Sequence, residues 1–363
     1  MRILLLAPAN SIHTIKWANA FSERGHEVFL TSLSDHRADL DKLSAKVTLH
    51  YLSKGGGKGY YLCAGELKKY FKKIKPDVVN AHYASGYGTL ARMAGIHPLV
   101  LNVWGSDVYE FPYKGKYQNI VIKRNINNAD AIASTSNCMA EEVRKVLNRP
   151  ETEITIVPFG VDVNRFRPEP ERTEKDHFLF GTVKLLSYNY GIDLLIRAFA
   201  LFKKRWEAEG SKGKVPRYFI CGRGPDRTDF EKLVNDLSLD GDIEISDYIP
   251  NEVLPSVINS FDVSCYASVQ ESFGVSVVES MACGIPVITT ETDGFREVSE
   301  EGVTGLFVHS RDEKEFADRM WELYNDDTAR KLFGENGRKR VLELYDWQKN
   351  VSILETLLAE TSK

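Results

Sequence analysis

Short apolar segments rich in Val and Ile alternate with helical patterns along the chain, and this alternation constrains the fold more than any other feature. It is typical of βαβ units, which build parallel sheets covered by helices on both faces. The sequence therefore predicts a doubly wound α/β protein. The apolar segments form two series, one at 3–7, 28–31, 47–52, 78–81, 99–103, 131–133 and 154–157, the other at 178–183, 218–221, 243–245, 263–266, 287–290 and 306–308.

A charged, proline-containing segment, residues 166–176, separates the two series. Its composition is typical of a linker, and 363 residues suit two cores better than one. We predict two Rossmann-like domains, residues 1–165 and 177–340, followed by a terminal helical segment, residues 341–363. Ligands of parallel sheets bind beyond the carboxyl ends of the strands, so two such domains facing each other would form one deep cleft.

The composition argues for a cytoplasmic protein. The first residues, MRILLLAP, are read as a buried strand, because the apolar run is short and no small-residue cleavage site follows. No segment approaches the ~18 apolar residues that a spanning helix needs. The five cysteines are scattered without a C-x-x-C pair, which argues against a zinc site or a disulfide framework.

Charge is distributed unevenly along the chain. Residues 1–165 hold 22 Lys and Arg against 15 Asp and Glu, whereas the remainder holds 25 against 36. The densest basic cluster is KKYFKKIK at 68–75. It is either the solvated face of a surface helix or a docking patch for anionic lipid headgroups at the inner face of the cell membrane. We expect no nucleic-acid partner.

The most informative segment is SVQESFGVSVVESMACGIPVI, residues 268–288. We expect a helix to open at Phe273, Gly274 and Val275, where free amides and the helix dipole attract phosphate or sugar oxygens. Gly274 permits close approach of a ligand. Glu271 just before the helix and Glu279 two turns along it can both point to the same side and bind hydroxyls of one ligand.

This segment resembles the donor-site signature of the retaining family-4 glycosyltransferases, which have the GT-B fold of two Rossmann-like domains. In that family two glutamates seven residues apart enclose E-S-F-G, and M-A-C-G-x-P-V-I follows. The resemblance implies that Glu271 and the backbone of 273–275 bind the transferred sugar. It implies that Glu279 binds the ribose hydroxyls of a nucleotide-sugar.

Further segments of the second half resemble the same family. Lys184 stands where the first member of a basic pair clamps the diphosphate, whereas Asn189 and Tyr190 lie near the position of the second, usually a Lys. Gly222 belongs to a G-x-G-P turn, which is mostly structural. Tyr248 and Ile249 resemble the loop whose backbone reads the nucleobase.

The first half offers fewer candidates. Ser11 lies between the first strand and the first helix, where it either caps the helix or helps it to face the donor phosphates. His82 follows a strand at its carboxyl end. It either packs as a structural side chain or takes part in catalysis at the mouth of the cleft. Residues 104–109, WGSDVY, resemble the family's H-G-S-D loop, with Trp104 in place of the histidine. We predict that Asp107 contacts the acceptor.

The resemblance implies a chemistry. A retaining, metal-independent enzyme would move a hexose or N-acetylhexosamine from a UDP-sugar, or a GDP-sugar, to a saccharide or lipid-linked acceptor in cell-surface polysaccharide synthesis. The nucleotide-sugar is a co-substrate, so we expect no cofactor. We also expect no metal, because Asp39-Leu40-Asp41 and Asp240-Gly241-Asp242 are read as solvated loops rather than metal-binding D-x-D pairs.

Three other classes remain to be weighed. A sugar-nucleotide epimerase of the same two-domain architecture shares the nucleotide cleft and is the closest alternative. A non-catalytic two-lobed sugar-binding protein is disfavoured by Glu271 and Glu279 and by the lack of an export signal. A nicotinamide dehydrogenase would need G-x-G-x-x-G after a strand, and the sequence Gly222-Arg223-Gly224 lacks the third glycine.

Overall fold

The computed structural model describes residues 1–169, 175–309 and 311–363. The chain divides into two compact units, one of residues 1–159 and 348–363 and one of residues 160–347. Part of the segment predicted as the linker, residues 170–174, lies outside the described residues. Within the described ranges, no helix has the length and apolar character needed to cross a bilayer.

The first unit contains a seven-stranded parallel sheet with the order β3-β2-β1-β4-β5-β6-β7. Its strands are β1 Arg2–Leu6, β2 Glu27–Ser32, β3 Thr48–Tyr51, β4 Val78–His82, β5 Leu99–Val103, β6 Ala131–Ser134 and β7 Thr155–Ile156. Its helices are α1 Ile12–Glu23, α2 Gly56–Leu62, α3 Ala64–Ile74, α4 Gly88–Ala94, α5 Ser106–Tyr109, α6 Lys116–Asn127 and α7 Asn137–Leu147, with a π-helical turn at Tyr83–Tyr87 and a 3₁₀ turn at Phe111–Lys114.

The second unit contains a six-stranded parallel sheet with the order β10-β9-β8-β11-β12-β13. Its strands are β8 His177–Val183, β9 Val215–Cys221, β10 Ile243–Ser246, β11 Val263–Tyr266, β12 Val287–Thr290 and β13 Gly305–Val308. Its helices are α8 Ile192–Ala208, α9 Arg227–Asp236, α10 Leu254–Asn259, α11 Val275–Ala282, α12 Asp293–Val298, α13 Glu313–Asn325 and α14 Asp327–Leu344, with a 3₁₀ turn at Tyr188–Tyr190.

Near-continuous apolar strands explain why both sheets are covered on two faces. β4 and β5 are buried at every position, as are β11, β12 and β13. Each Å² of apolar surface that such strands remove from water stabilises the fold by roughly 25 cal/mol. The prediction of two doubly wound α/β domains is thus confirmed.

The strand order reverses between β1 and β4 in the first sheet and between β8 and β11 in the second. At such a switch point the connections leave in opposite directions and open a crevice at the carboxyl ends of the strands. The predicted site residues Lys184 and Glu271 follow β8 and β11, whereas Ser11 lies in the loop between β1 and α1 and His82 is the last residue of β4. The topology therefore places both predicted sites at switch points.

The last helix, α15 Trp347–Thr361, belongs from Gln348 onward to the first unit. Val351, Leu354 and Leu358 are fully buried there. Glu355 accepts hydrogen bonds from Arg24 at 2.6 Å and from His26 at 2.5 Å. These contacts hold α15 against the end of α1.

Residues 160–165, predicted as the end of the first domain, lie in the second unit. The backbone explains this division, because the Val161 N–H donates to the Tyr345 carbonyl at 2.8 Å. Arg338 of α14 also donates to the carbonyls of Val163 and Phe166, at 2.9 and 2.7 Å. The chain therefore enters the second unit before the charged segment begins.

Candidate functional site

The helix predicted to carry the donor chemistry, α11, is held rigidly against its sheet. It begins after Gly274, whose φ is +99°, a left-handed conformation that favours glycine. A Cβ at Gly274 would lie 2.9 Å from the Phe295 ring. Tyr266, at the end of β11, donates from its hydroxyl to the Ser276 carbonyl at 3.0 Å and lies 2.7 Å from the Ser280 hydroxyl.

The loop before α11 fixes Glu271. Its carbonyl accepts the Gly294 N–H at 3.1 Å. Gly294 has no room for a side chain, since a Cβ there would lie 2.7 Å from both the Glu271 carbonyl oxygen and the Phe273 nitrogen. The close backbone approach of α12 thus sets where the Glu271 carboxylate emerges, and Gly294 is a site residue that the sequence analysis missed.

Lys184 and Glu271 come together although 86 residues separate them in the chain. The Lys184 Nζ lies 2.6 Å from the Glu271 Oε2, and both side chains are largely buried, with 13% and 14% exposed. Rings of Tyr190 and Phe295 lie 4.8 and 5.9 Å from the Lys184 Nζ. The ammonium group of such a charge-assisted pair could bind a phosphate, and the carboxylate could bind a sugar hydroxyl.

A cavity of about 390 Å³ lies beside this pair, within the second unit. Six of the predicted site residues line it: Lys184, Gly222, Tyr248, Ile249, Val275 and Glu279. The remaining lining residues are Val183, Leu185, Tyr190, Cys221, Arg223, Asn251, Leu254 and Ser276. The volume and the mixture of backbone, apolar and charged groups suit a small-molecule site.

Four predicted site residues of the second unit do not line this cavity: Glu271, Phe273, Gly274 and Asn189. Phe273 is buried, with its ring 5.6 Å from the Tyr345 ring. Gly274 is the left-handed residue before α11. Asn189 is exposed, and its carbonyl accepts the Val269 N–H at 2.9 Å. The structure therefore places Asn189 as a backbone support for the loop after β11.

Gly222 lies where the β9 turn crosses the loop after β8. A Cβ at Gly222 would lie 1.9 Å from the Lys184 carbonyl oxygen, and one at Gly224 would lie 2.0 Å from that of Leu186. Neither contact can be relieved by a side-chain movement, because both involve backbone. The G-x-G spacing is thus a structural requirement that brings the turn against Lys184.

In the first unit, Asp107 is buried and bonded to backbone rather than aimed outward. Its Oδ2 accepts the Ala84 N–H at 2.8 Å, and its Oδ1 accepts those of Trp104 and Gly105 at 3.1 and 2.9 Å. Burial raises the pKa of Asp107, against the opposing effect of these bonds. Because its side chain is only 1% exposed, the structure gives Asp107 a positioning role instead of the predicted acceptor contact.

His82 is also fully buried. Its Nε2 lies 2.9 Å from the Asn80 Oδ1, and its Nδ1 has no hydrogen-bond partner among the described residues. Burial, helped by the charge of His13, lowers the pKa of His82 to about 3. The imidazole is therefore neutral near pH 7, with Nε2 as the donor and Nδ1 as an unused acceptor.

Aromatic rings cover His82. Trp104 lies 4.1 Å from it, and Tyr83 and Phe159 each lie 5.3 Å from Trp104, measured between centroids. His13 stacks on Phe159 at 4.2 Å, and burial, followed by the charge of Lys16, lowers the pKa of His13 to about 4. Ser11 precedes α1 without a side-chain capping bond.

A second cavity, of about 430 Å³, lies in the first unit and was missed by the sequence analysis. It is rich in aromatic side chains and is lined by Pro8, His36, Gly57, Tyr60, Tyr61, Tyr83, Ser85, Gly86, Tyr87, Thr89 and Phe111. The tyrosines lie within residues 60–87 with no regular spacing, so no pattern marked them as neighbours.

Two family models match the chain in separate parts. The model of glycosyl transferases group 1 matches residues 163–340, and the glycosyl transferase 4-like model matches residues 2–136. The crystal structure of Anabaena HepE in complex with UDP superposes with a TM-score of 0.82 and 16% identity, over 99% of this chain and 100% of that one.

This chain is a family-4-type glycosyltransferase with the GT-B fold.

Curated relatives of this glycosyltransferase share about a quarter of its residues. N-acetyl-alpha-D-glucosaminyl L-malate synthase of Bacillus anthracis is 24% identical over 93% of this chain and 90% of that protein. The capsular polysaccharide biosynthesis glycosyltransferase CapM of Staphylococcus aureus is 27% identical over 80% of both chains. The enzyme class predicted from residues 268–288 is thus confirmed.

Each of the two D-x-D segments contributes a carboxylate to an ion pair in this glycosyltransferase, an exposed pair at Asp39 and a largely buried one at Asp242. Asp39 pairs with Lys42 at 2.9 Å, and Asp242 pairs with Lys203 at 2.7 Å. Among the residues that the structure describes, no three His, Cys, Asp or Glu side chains are grouped so that they could hold a metal ion.

Proposed function

We propose that this glycosyltransferase moves a hexose or N-acetylhexosamine from a nucleoside diphosphate sugar, UDP-linked in preference to GDP-linked, to a saccharide or lipid-linked acceptor. The observation that carries the proposal is the Lys184–Glu271 pair at the start of α11, beside a cavity lined by Glu279 and the 248–249 loop. HepE, which shares the fold, was crystallised with UDP and with UDP-glucose. A cell-surface polysaccharide is the proposed product class, as the name of CapM suggests.

The proposed reaction retains the anomeric configuration. The bond between the sugar C1 and the phosphate oxygen breaks while a bond from C1 to the acceptor oxygen forms on the same face. The departing phosphate oxygen takes the acceptor proton, so no enzyme nucleophile or resident cofactor is required.

Each residue of the pair has a separate task in this scheme. Lys184 stabilises the negative charge that builds on the leaving diphosphate, and the α11 amides add to that effect. Glu271 binds hydroxyls of the transferred sugar and holds C1 so that the acceptor can attack on the face of the leaving phosphate. Glu279, which lies farther along α11 and lines the same cavity, binds the ribose hydroxyls.

A nucleotide panel tests the proposal. Thermal stabilisation of the full chain is measured with UDP, GDP, ADP, UDP-glucose, UDP-N-acetylglucosamine and GDP-mannose, followed by assay of donor hydrolysis in excess EDTA. We expect UDP and one UDP-sugar to stabilise the protein, and turnover to persist in EDTA. Turnover that EDTA abolishes and manganese restores would contradict the metal-independent reaction.

Site variants complete this test. Glu271→Ala and Lys184→Ala are expected to reduce turnover at least ~10²-fold, the usual cost of losing one electrostatic contact to the transition state. Glu244→Ala, an exposed glutamate on β10, is the matched control and is expected to retain activity. Near wild-type turnover by both site variants would refute the assignment.

We also propose that α3 meets an anionic membrane surface. Leu67 and Ile74 of this helix are buried, whereas Lys68, Lys69, Lys72 and Lys73 are exposed. Each exposed lysine near an anionic bilayer contributes about 1 kcal/mol. Sedimentation with phosphatidylserine vesicles is expected to exceed that with neutral vesicles, and equal binding to both would remove the membrane proposal.

A further inference from the structure

The diphosphate proposed above carries more negative charge than Lys184 alone can neutralise. The loop after β8 supplies no second cation, since Asn189 and Tyr190 are uncharged near pH 7. We propose that Arg223, in the turn after β9, is the second cation that binds the diphosphate. This inference rests on the proposed nucleotide-sugar function and names a residue for it.

The topology brings Arg223 to Lys184. β8 and β9 are neighbouring parallel strands, with Val183 paired to Cys221. Beyond the strand ends, the Lys184 N–H donates to the Cys221 carbonyl at 3.0 Å, and the Leu186 N–H donates to the Arg223 carbonyl at 2.8 Å. Both cationic side chains therefore leave the same edge of the sheet, and both line the 390 Å³ cavity.

The two glycines around Arg223 make this approach obligatory. With Gly222 and Gly224 pressed against the carbonyls of Lys184 and Leu186, the turn lies directly on the β8 loop. Arg223 is the residue between them, and it is exposed at the cavity. An arginine held between two backbone contacts, at the carboxyl end of a strand, is positioned to meet a ligand rather than to fill a core.

The Arg223 guanidinium is also uncommitted. It lies 5.6 Å from the Tyr248 ring centroid, and within residues 1–169, 175–309 and 311–363 it makes no ion pair or side-chain hydrogen bond. Arg227, four residues on, is fully engaged by Glu231 at 2.6 Å, Asp247 at 2.9 Å and the Ile245 carbonyl at 3.0 Å. Only Arg223 of the two can offer its planar fork to phosphate oxygens.

The charges of the cavity favour the same conclusion. Lys184 is paired with Glu271, so much of its charge is already compensated. Arg223 adds a positive charge to the cavity that Glu279 also lines. A diphosphate between Lys184 and Arg223, with ribose hydroxyls on Glu279, would pair each charged group with a complementary part of one ligand.

Calorimetric binding of UDP, UMP and uridine to full-length variants tests this inference. Arg223→Met is expected to weaken UDP binding by about 10- to 100-fold, since a charge-assisted hydrogen bond contributes about 1.5–3 kcal/mol. The same substitution is expected to weaken the binding of UMP less and to leave the binding of uridine unchanged. Arg223→Lys, which keeps the charge, is expected to recover most of the UDP affinity.

Arg217→Met is the matched control, because Arg217 lies on β9, the strand before Arg223, outside this cavity, and pairs weakly with Asp242 at 3.8 Å. UDP binding by Arg223→Met equal to that of the control would overturn the inference. An equal loss for uridine would also overturn it, because Arg223 would then act by stacking on Tyr248.

Failure of the proposed function gives a different result. In that case wild-type protein binds none of UDP, GDP and ADP, whereas failure of the Arg223 inference leaves the wild-type UDP affinity intact. Melting curves of each variant show whether it is folded, and the Arg223→Lys comparison does not depend on the methionine variant.

Discussion

The same edge of the sheet is used in opposite ways in the two units. In the second unit, side chains after β8 and β11 converge on one another and on a cavity, with Lys184 2.6 Å from Glu271. In the first unit, the polar residues at and after β4 and β5, His82 and Asp107, turn inward and bond to other groups of the protein. A switch point thus creates an opening, but local bonding decides which side chains reach it.

The difference lies in what satisfies the loop backbone. In the second unit, glycines let backbone groups bond directly, as between Gly294 and Glu271, so that carboxylate and ammonium groups remain available. In the first unit, a carboxylate is used to satisfy three N–H groups of the loops after β4 and β5. A polar residue at a strand end is therefore a ligand contact only where the backbone does not need it.

The largest expected effect that separates the two edges is on stability. Asp107→Ala leaves the N–H groups of Ala84, Trp104 and Gly105 without their acceptor, and we expect a loss of about 3 kcal/mol in the free energy of unfolding. Glu271→Ala, in contrast, leaves Lys184 at the lining of a cavity where its ammonium group can be solvated, so a smaller loss of stability is expected while turnover is removed. Urea titration combined with a turnover assay measures both quantities.

Asp107→Asn sharpens this comparison. Its amide oxygen can still accept from Trp104 and Gly105, but its NH₂ would face the Ala84 N–H, so an intermediate loss of stability is expected. Hydrogen exchange of the 84 and 104–105 amides should accelerate in the same order. An Asp107→Ala variant as stable as wild type yet inactive would contradict the positioning role and support the direct acceptor contact predicted from the sequence.

The fold could be predicted from the sequence because parallel strands buried on both faces must be apolar at consecutive positions. The predicted segment 78–81 became β4 Val78–His82, and 99–103 became β5 Leu99–Val103. The boundary between units was misplaced by a few residues, because the bonds of Val161 to Tyr345 and of Arg338 to Phe166 are long-range. No local composition signals such contacts.

The candidate site was predictable where its residues share one segment. Glu271 and Glu279 lie on either side of the α11 start, as their spacing required. Arg223 and Gly294 were missed, because their importance depends on strand neighbours distant in the chain. The glycine-flanked arginine after β9 was the available signal, and reading it would have required the pairing of β9 with β8.

The next effect concerns the buried histidines of the first unit. The pKa of His82 is lowered to about 3 and that of His13 to about 4, whereas both titrate near 6.5 in the unfolded chain. Between these values the unfolded chain binds protons that the native state does not. The contribution of these two histidines to the free energy of unfolding is therefore fully present above about pH 6.5 and is lost as the pH drops toward 4.

His82→Gln isolates this effect, since its amide can still donate to Asn80. The slope of unfolding free energy against pH, between pH 4 and 6, is expected to be shallower than wild type by about 1.4 kcal/mol per unit. The exposed His97→Gln is the matched control. Parallel curves for wild type and His82→Gln would show that His82 is protonated in the native state.

The smallest expected effect returns to the second unit and concerns the competition for Lys184. UDP has no transferred sugar, so its phosphate must share Lys184 with the Glu271 carboxylate at 2.6 Å. Glu271→Gln removes the competing charge, and we expect UDP to bind about fivefold more tightly, a gain of about 1 kcal/mol, while turnover of the UDP-sugar is lost. Calorimetry of UDP binding measures the gain. Lys184→Met combined with Glu271→Gln should abolish it, because the gain acts through the ammonium group alone. Weaker UDP binding by Glu271→Gln would mean that the carboxylate orients Lys184 for the phosphate. Lys184 and Glu271 would then both serve the diphosphate, instead of binding the diphosphate and the sugar separately.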